Sequence, residues 1–266
     1  TSVDMQITGG SRTAFFAFAI ENCGRLDADV YHDLCIGART YEVAGTKVGA
    51  VYIVKGAAAG TSLPETVNVT TSTRVLQITG STSLALFGAA LGGMGDVDGK
   101  GSPEFFVAAP FETVGTASLA GSVYVFNLGG TSTPKSPSDA VAVIQNDLAS
   151  TSSTPNAFGF GYAAGARYDP LKGADLNNDG LADMLFGIQY TGASPAGSAY
   201  LFYGASTLTN KKVSGADYTF TPGTGGTTTY SIIMSFAGDV NGDTYQDLVI
   251  SEYSYNSGAG RVLVYY

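Results

Sequence analysis

Apolar residues in this chain fall into short runs cut by glycine, not into the stripes of amphipathic helices. Four such runs are "LCIGA" from Leu34, "FFVAAP" from Phe105, "MLFGI" from Met184 and "LVISE" from Leu248. Each is preceded by a second run, "AFFAFAIEN", "ALFGAALGG", "AFGFGYAAG" and "YSIIMSFAG", and followed by a third, "GAVYIVKG", "GSVYVFNLG", "GSAYLFYG" and "GRVLVYY". Their β-branched and aromatic content with glycine punctuation predicts strands. Their continuous apolarity, without strict alternation, predicts burial on both faces.

The runs recur as one unit. A fourth strand closes each of the first three units: "TRVLQITG" (73–80), "DAVAVIQ" (139–145) and "ADYTF" (216–220). The last unit ends at Tyr266 without one, but the N-terminal "SVDMQITGG" repeats the "QITG" of 77–80. The expected fold is therefore all-β: a β-propeller of four four-stranded antiparallel blades, with the N-terminal strand completing the last blade and closing the ring. The blades are placed at approximately 11–80, 81–146, 156–221, and 228–266 plus 1–10, within one domain. An eight-bladed ring made by two chains is the alternative.

Between the first and second strand of each unit lies an acidic nine-residue loop. The clearest copies are "DLNNDGLAD" (175–183) and "DVNGDTYQD" (239–247); "DVDGKGSPE" (96–104) and "RLDADVYHD" (25–33) are less regular. Oxygen-bearing side chains at loop positions 1, 3, 5 and 9, with a backbone carbonyl from position 7, are what a hard cation such as calcium requires. The candidate ligands are Asp175, Asn177, Asp179, Leu181 and Asp183 in the third loop, and Asp239, Asn241, Asp243, Tyr245 and Asp247 in the fourth. Turn-forming preference explains Asp, Asn and Gly in any one loop, but not their recurrence in register. In the second loop Asp96, Asp98, Ser102 and Glu104 form a further site only if Lys100, at position 5, points away. In the first, Arg25 replaces the position-1 acid, and its guanidinium is expected to neutralise Asp27, Asp29 and Asp33 without metal.

Charge supports the same picture. Thirteen basic residues against twenty-two acidic ones give a net charge of −9, which excludes a phosphate-binding surface and hence nucleic acid. No apolar run approaches the ~18 residues of a membrane-spanning helix, so no membrane insertion is expected.

The stretch "FGAALGGMGDVDGKGSPEFFVAAP" with "GSVYVF", and its counterparts "FGFGYAAG…DLNNDGLADMLFG" with "GSAYLFYG" and "SFAGDVNGDTYQDLVIS" with "GRVLVYY", resemble the FG-GAP repeat of the integrin α-subunit β-propeller. The resemblance implies blades of four antiparallel strands, calcium in the turn between the first two strands of a blade, and extracellular adhesion or ligand recognition. It departs from the family in blade number, since integrin-type propellers have seven.

Cys23 and Cys35 stand symmetrically about the first loop, where a disulfide across two strands can form; two buried thiols are the alternative. "NVT" at Asn68 is an N-glycosylation sequon. The only histidine, His32, lies in a turn, and no nucleophile elbow or phosphate loop is present, so no enzyme is expected. Tyr52, Tyr124 and Tyr200 recur at one strand position and read as packing, whereas Tyr41, Tyr190, Tyr253 and Tyr255 follow second strands and are candidates for a binding surface. The function expected is an extracellular calcium-stabilised module binding protein or glycan. The alternatives are a self-associating subunit of a filament or coat and a non-catalytic accessory domain of a secreted enzyme.

Overall fold

The structure is a computed structural model of the 266-residue chain. It describes residues 4–10, 14–27, 29–58, 65–129, 133–148, 158–162, 174–188, 198–221, 234–252 and 255–266. The first unit contains β1 (Met5–Thr8), β2 (Phe16–Gly24), β3 (Asp33–Ala38), a small hairpin of β4 (Glu42–Val43) and β5 (Thr46–Lys47), β6 (Ala50–Val54), β7 (Glu65–Asn68) and β8 (Val75–Thr79). The second has β9 (Ala90–Gly95), β10 (Glu104–Ala109), β11 (Ser122–Asn127) and β12 (Ala142–Gln145). The third has β13 (Phe158–Tyr162), β14 (Met184–Ile188), β15 (Ser198–Phe202), the short β16 (Lys211–Lys212) and β17 (Tyr218–Phe220), and the fourth has β18 (Met234–Gly238), β19 (Asp247–Glu252) and β20 (Arg261–Tyr265).

Each unit folds into its own antiparallel sheet, in the orders β2-β3-β6-β8, β9-β10-β11-β12, β13-β14-β15-β17 and β18-β19-β20. β16 adds to the outer edge of the second sheet in parallel with β12, tying the third unit to its predecessor. The expectation that continuous apolar runs are buried on both faces holds for β6, β10 and β15, in which every residue is buried, but not for β2 or β20, whose outward side chains are exposed because no described sheet packs over that face.

Three apolar clusters join successive sheets. Ile53 and Ile78 of the first meet Phe87, Phe105 and Phe126 of the second. Phe106 and Val125 meet Met184, Phe186 and Phe202. Leu185, Leu201 and Phe220 meet Phe236, Leu248 and Ile250. Adjacent residues of one strand therefore serve different interfaces, Phe105 toward the first sheet and Phe106 toward the third, as the two-residue period of a strand dictates. Close approach needs glycine: a Cβ on Gly37 would lie 2.0 Å from the carbonyl oxygen of Gly88, itself at φ +88°.

The N-terminal strand departs from expectation. β1 does not complete the last sheet; it pairs in parallel with β7, Met5 opposite Glu65 through Thr8 opposite Asn68. Ile7 and Val67 then share a cluster with Ile36, Tyr52 and Val54 on the outward face of the first sheet. That apolar face lies beside the strand in sequence, and covering it decides the pairing; "QITG" encodes strand character without a partner. The fourth sheet accordingly has three strands among the described residues. Its outward Val262 (65% exposed) and Val264, like Ile20 (55%) and Phe18 on the first sheet, face solvent.

Cys23 and Cys35 form a disulfide between β2 and β3, with Cα atoms 5.9 Å apart. Chain-entropy arguments for a loop this short give about 2–4 kcal/mol. Replacing both cysteines by serine should lower unfolding stability by roughly that amount, read by urea denaturation monitored by circular dichroism.

Candidate metal centres

The four acidic loops share one hydrogen-bonding scheme, fixed by the carboxylate at position 9. This residue opens the second strand of a sheet as Asp33, Glu104 and Asp247, or immediately precedes it as Asp183, and all four are buried. One oxygen of each accepts the backbone N–H of position 2: from Leu26 at 2.8 Å, Val97 at 2.8 Å, Leu176 at 2.7 Å and Val240 at 2.7 Å. The other oxygen accepts from a group beyond the third strand of the same sheet, Gly56 N at 2.8 Å or Gly204 N at 3.0 Å, or from Asn127 Nδ2 at its end. Asp247 Oδ1 is buried with no hydrogen-bond partner among the described residues.

Positions 1, 3 and 5 curl over this anchor. In the third loop Asp175 accepts from Asp179 N (3.1 Å) and Gly180 N (2.8 Å), and Asn177 Oδ1 accepts from Asp179 N (3.1 Å). In the fourth, Asp239 accepts from Asp243 N (3.0 Å) and Thr244 N (2.8 Å), and Asn241 Oδ1 from Asp243 N (2.8 Å). The second repeats it with Lys100 N and Gly101 N on Asp96 (3.0 and 2.8 Å) and Lys100 N on Asp98 (3.1 Å). This winding needs left-handed backbone at positions 4 and 6, supplied by Gly99 and Gly101, Asn178 and Gly180, and Gly242 and Thr244. The sequence pattern is thus partly a backbone requirement and partly a donor set.

The donor set fits a hard divalent cation. Its atoms are side-chain oxygens on a hairpin that converges them, and oxygens of Asp96, Asp98 and Glu104 lie within 4.8 Å of one another. In the third loop Asp175, Asn177, Asp179 and Asp183 would hold the ion, and in the fourth Asp239, Asn241, Asp243 and Asp247. The position-5 carboxylates already accept from the position-7 amides, Leu181 N and Tyr245 N, both at 2.9 Å. Position 7 of the second loop differs, since the Ser102 carbonyl accepts from Asn127 Nδ2 at 3.4 Å.

The expectation for Arg25 needs correction, and the condition set for Lys100 is not met. Arg25 makes no ion pair with the first-loop acids among the described residues, and its Nε is buried without a partner. The cation there is Lys55, just after β6, with Nζ 3.2 Å from Asp27 Oδ2. Asp29 instead accepts from Tyr31 N at 2.7 Å. In the second loop Lys100 turns inward, its Nζ 2.6 Å from Asp98 Oδ2, although most of the side chain is exposed. Lys100 reaches Asp98 because the winding brings positions 3 and 5 together, as it does Asn177 and Asp179 in the third loop, whereas Lys55 reaches Asp27 from the end of the third strand.

The tyrosine expectations divide. Tyr52, Tyr124 and Tyr200 are buried as expected. Tyr41 packs edge-on against Tyr52 with centroids 6.4 Å apart, and Tyr255 lies under the Arg261 guanidinium at 3.9 Å, so both are engaged in packing. Tyr190 and Tyr253 fall outside the described residues. A different set, Tyr203, Tyr218, Tyr245 and Tyr265, lines an open cavity of about 420 Å³ between the third and fourth sheets, beside Asp243. Sequence spacing missed it because these residues come from separate strands and loops. His32 hydrogen-bonds Asn22 at the surface.

Successive antiparallel sheets, each carrying an oxygen-rich hairpin, are blade-like repeats of the β-propeller class. Residues 235–265, spanning the fourth hairpin and β20, match the FG-GAP repeat family model. The chain is also similar to integrin alpha-V of Gallus gallus, 28% identical over 186 residues, which is 68% of this chain and 15% of that protein. It therefore spans a small part of that relative.

Burial holds the Glu104 carboxyl at about 7, from 4.5, against the lowering effect of the Asn127 and Val97 hydrogen bonds. Burial likewise raises Asp183 from 3.8 to about 6, and raises Asp33. Asp239 is lowered by backbone N–H donors, the first of them from Thr244. A carboxyl whose pKa rises on folding stabilises the protein below its unfolded value, and that contribution disappears as pH rises through the folded one. Metal-free protein should therefore lose stability between about pH 4 and pH 7, read by urea denaturation in chelator, and Glu104→Gln with Asp183→Asn should flatten the profile.

Proposed function

We propose that this chain is an extracellular, calcium-stabilised β-propeller that binds a protein or glycan without catalysis. The observation that carries the reading is the shared winding of the third and fourth loops, which gathers side-chain oxygens at positions 1, 3, 5 and 9 on two separate sheets. An ion held there neutralises carboxylates that otherwise repel one another at the end of a hairpin. The mechanism is rigid display: the loops fix the first two strands of each sheet, and surface segments meet the partner. The tyrosine-lined cavity beside Asp243 is the surface we favour, because aromatic walls with a few polar groups suit a sugar ring or an extended side chain. The disulfide, the exposed sequon asparagine Asn68 and the similarity to integrin alpha-V support an extracellular setting.

Calcium should raise the melting temperature of chelated protein, with a gain of about 2.7 kcal/mol at a hundredfold excess over the dissociation constant of a single site. Asp175→Ala and Asp239→Ala should each remove part of that gain. An identical melt with and without calcium would refute the reading.

Self-association is a second reading, favoured by apolar side chains left in solvent on the outward faces of the first and last sheets, Phe18 and Ile20 against Val262 and Val264. Light scattering coupled to size-exclusion chromatography should then give a mass above 27.2 kDa that falls when Ile20 and Val262 are changed to Asp; a single monomer mass at all concentrations rejects it.

A further inference from the structure

The four loops solve the same electrostatic problem in two ways, and the division falls at the middle of the chain. In the third and fourth loops, positions 1, 5 and 9 are carboxylates, and no basic side chain pairs with any of them among the described residues. The first and second loops each have a lysine ammonium on the position-3 carboxylate: Lys55 on Asp27 at 3.2 Å and Lys100 on Asp98 at 2.6 Å.

The two lysines arrive by different routes. Lys100 stands at position 5, where the third and fourth loops have Asp179 and Asp243, so one substitution replaces an anion with a cation. Lys55 comes from outside the loop, immediately before Gly56, whose amide holds Asp33. By strand register the residues in the place of Lys55 in the second and third sheets are Asn127 and Tyr203, which carry no charge. A basic side chain thus occurs at this place in the sheet whose loop lacks a position-1 acid. Asp98 is 7% exposed, and Glu104 beside it is fully buried, so the Lys100 ammonium offsets charge where water screens it poorly.

We propose that Lys55 and Lys100 are built-in counter-ions that take the place of a divalent cation in the first two loops, so that calcium controls only the half of the molecule containing the third and fourth. This rests on the calcium reading of those later loops. The N-terminal half keeps its hairpins through lysine ion pairs and the Cys23–Cys35 disulfide, whereas removing calcium loosens the C-terminal hairpins alone. Calcium concentration then sets the order of the C-terminal sheets while the N-terminal sheets stay folded as a platform, a local rather than global response.

Hydrogen exchange measured by mass spectrometry on the whole chain, in calcium and in chelator, tests this. Chelation should lower protection by about tenfold or more in 175–183 and 239–247 and leave 25–33 and 96–104 within about twofold. Lys100→Asp restores the position-5 carboxylate and should bring 96–104 under calcium control, with far-UV circular dichroism confirming the fold. Lys100→Ala should lower protection of 96–104 in chelator, where no ion can replace the ammonium. Wild-type calcium sensitivity at 96–104 equal to that of the later loops overturns the proposal while keeping the calcium reading, as does a folded Lys100→Asp chain whose 96–104 ignores calcium. No calcium effect in any loop overturns the calcium reading itself, and this proposal with it.

Discussion

A buried carboxylate at the start of the second strand of every sheet is the constraint on which the rest depends. It sits where the hairpin turns back, and its oxygens take the backbone amide of loop position 2 and, in the first three sheets, a donor at or beyond the end of the third strand. One side chain thereby fixes the turn, the alignment of three strands and the concavity into which the other loop oxygens point. Burial makes these bonds strong and makes the charge costly, which is why the Glu104 and Asp183 carboxyls are pushed upward in pKa despite their hydrogen bonds.

The sheets stack because each hairpin presents apolar residues to both neighbours. Phe105 and Phe106 are consecutive and belong to different interfaces, so the second sheet cannot be reoriented without exposing one of them. The loops bury Leu26, Val97 and Ala182 in the core but gather carboxylates beside them, and charge balance there cannot be left to packing. Lysines supply it in the first two sheets. A divalent cation, in our reading, supplies it in the last two.

That difference gives the molecule a direction. Its N-terminal sheets carry the disulfide, the lysine pairs and the β1–β7 cover over the outward face of the first sheet. The later sheets carry loops of three carboxylates, and the tyrosine-lined cavity lies between them, with Asp243 belonging to both cavity and fourth loop. Asp243, Tyr245 and Gln246 of that loop all line the cavity, so order in the loop and the shape of the cavity are linked.

Much of this was legible in the sequence. The register of the acidic loops, the strands around them and the double-sided burial follow from residue type and spacing, because a strand's period and a turn's backbone preferences act over a few residues. The disulfide was accessible for the same reason, since Cys23 and Cys35 flank a single hairpin. Tertiary structure alone decided the partner of β1, which depends on which apolar face needs covering rather than on the four residues "QITG". It also decided that Lys55 rather than Arg25 meets Asp27, and that Lys100 turns inward. A long basic side chain goes where the summed field of carboxylates from separate strands draws it, and only the folded chain brings those carboxylates together.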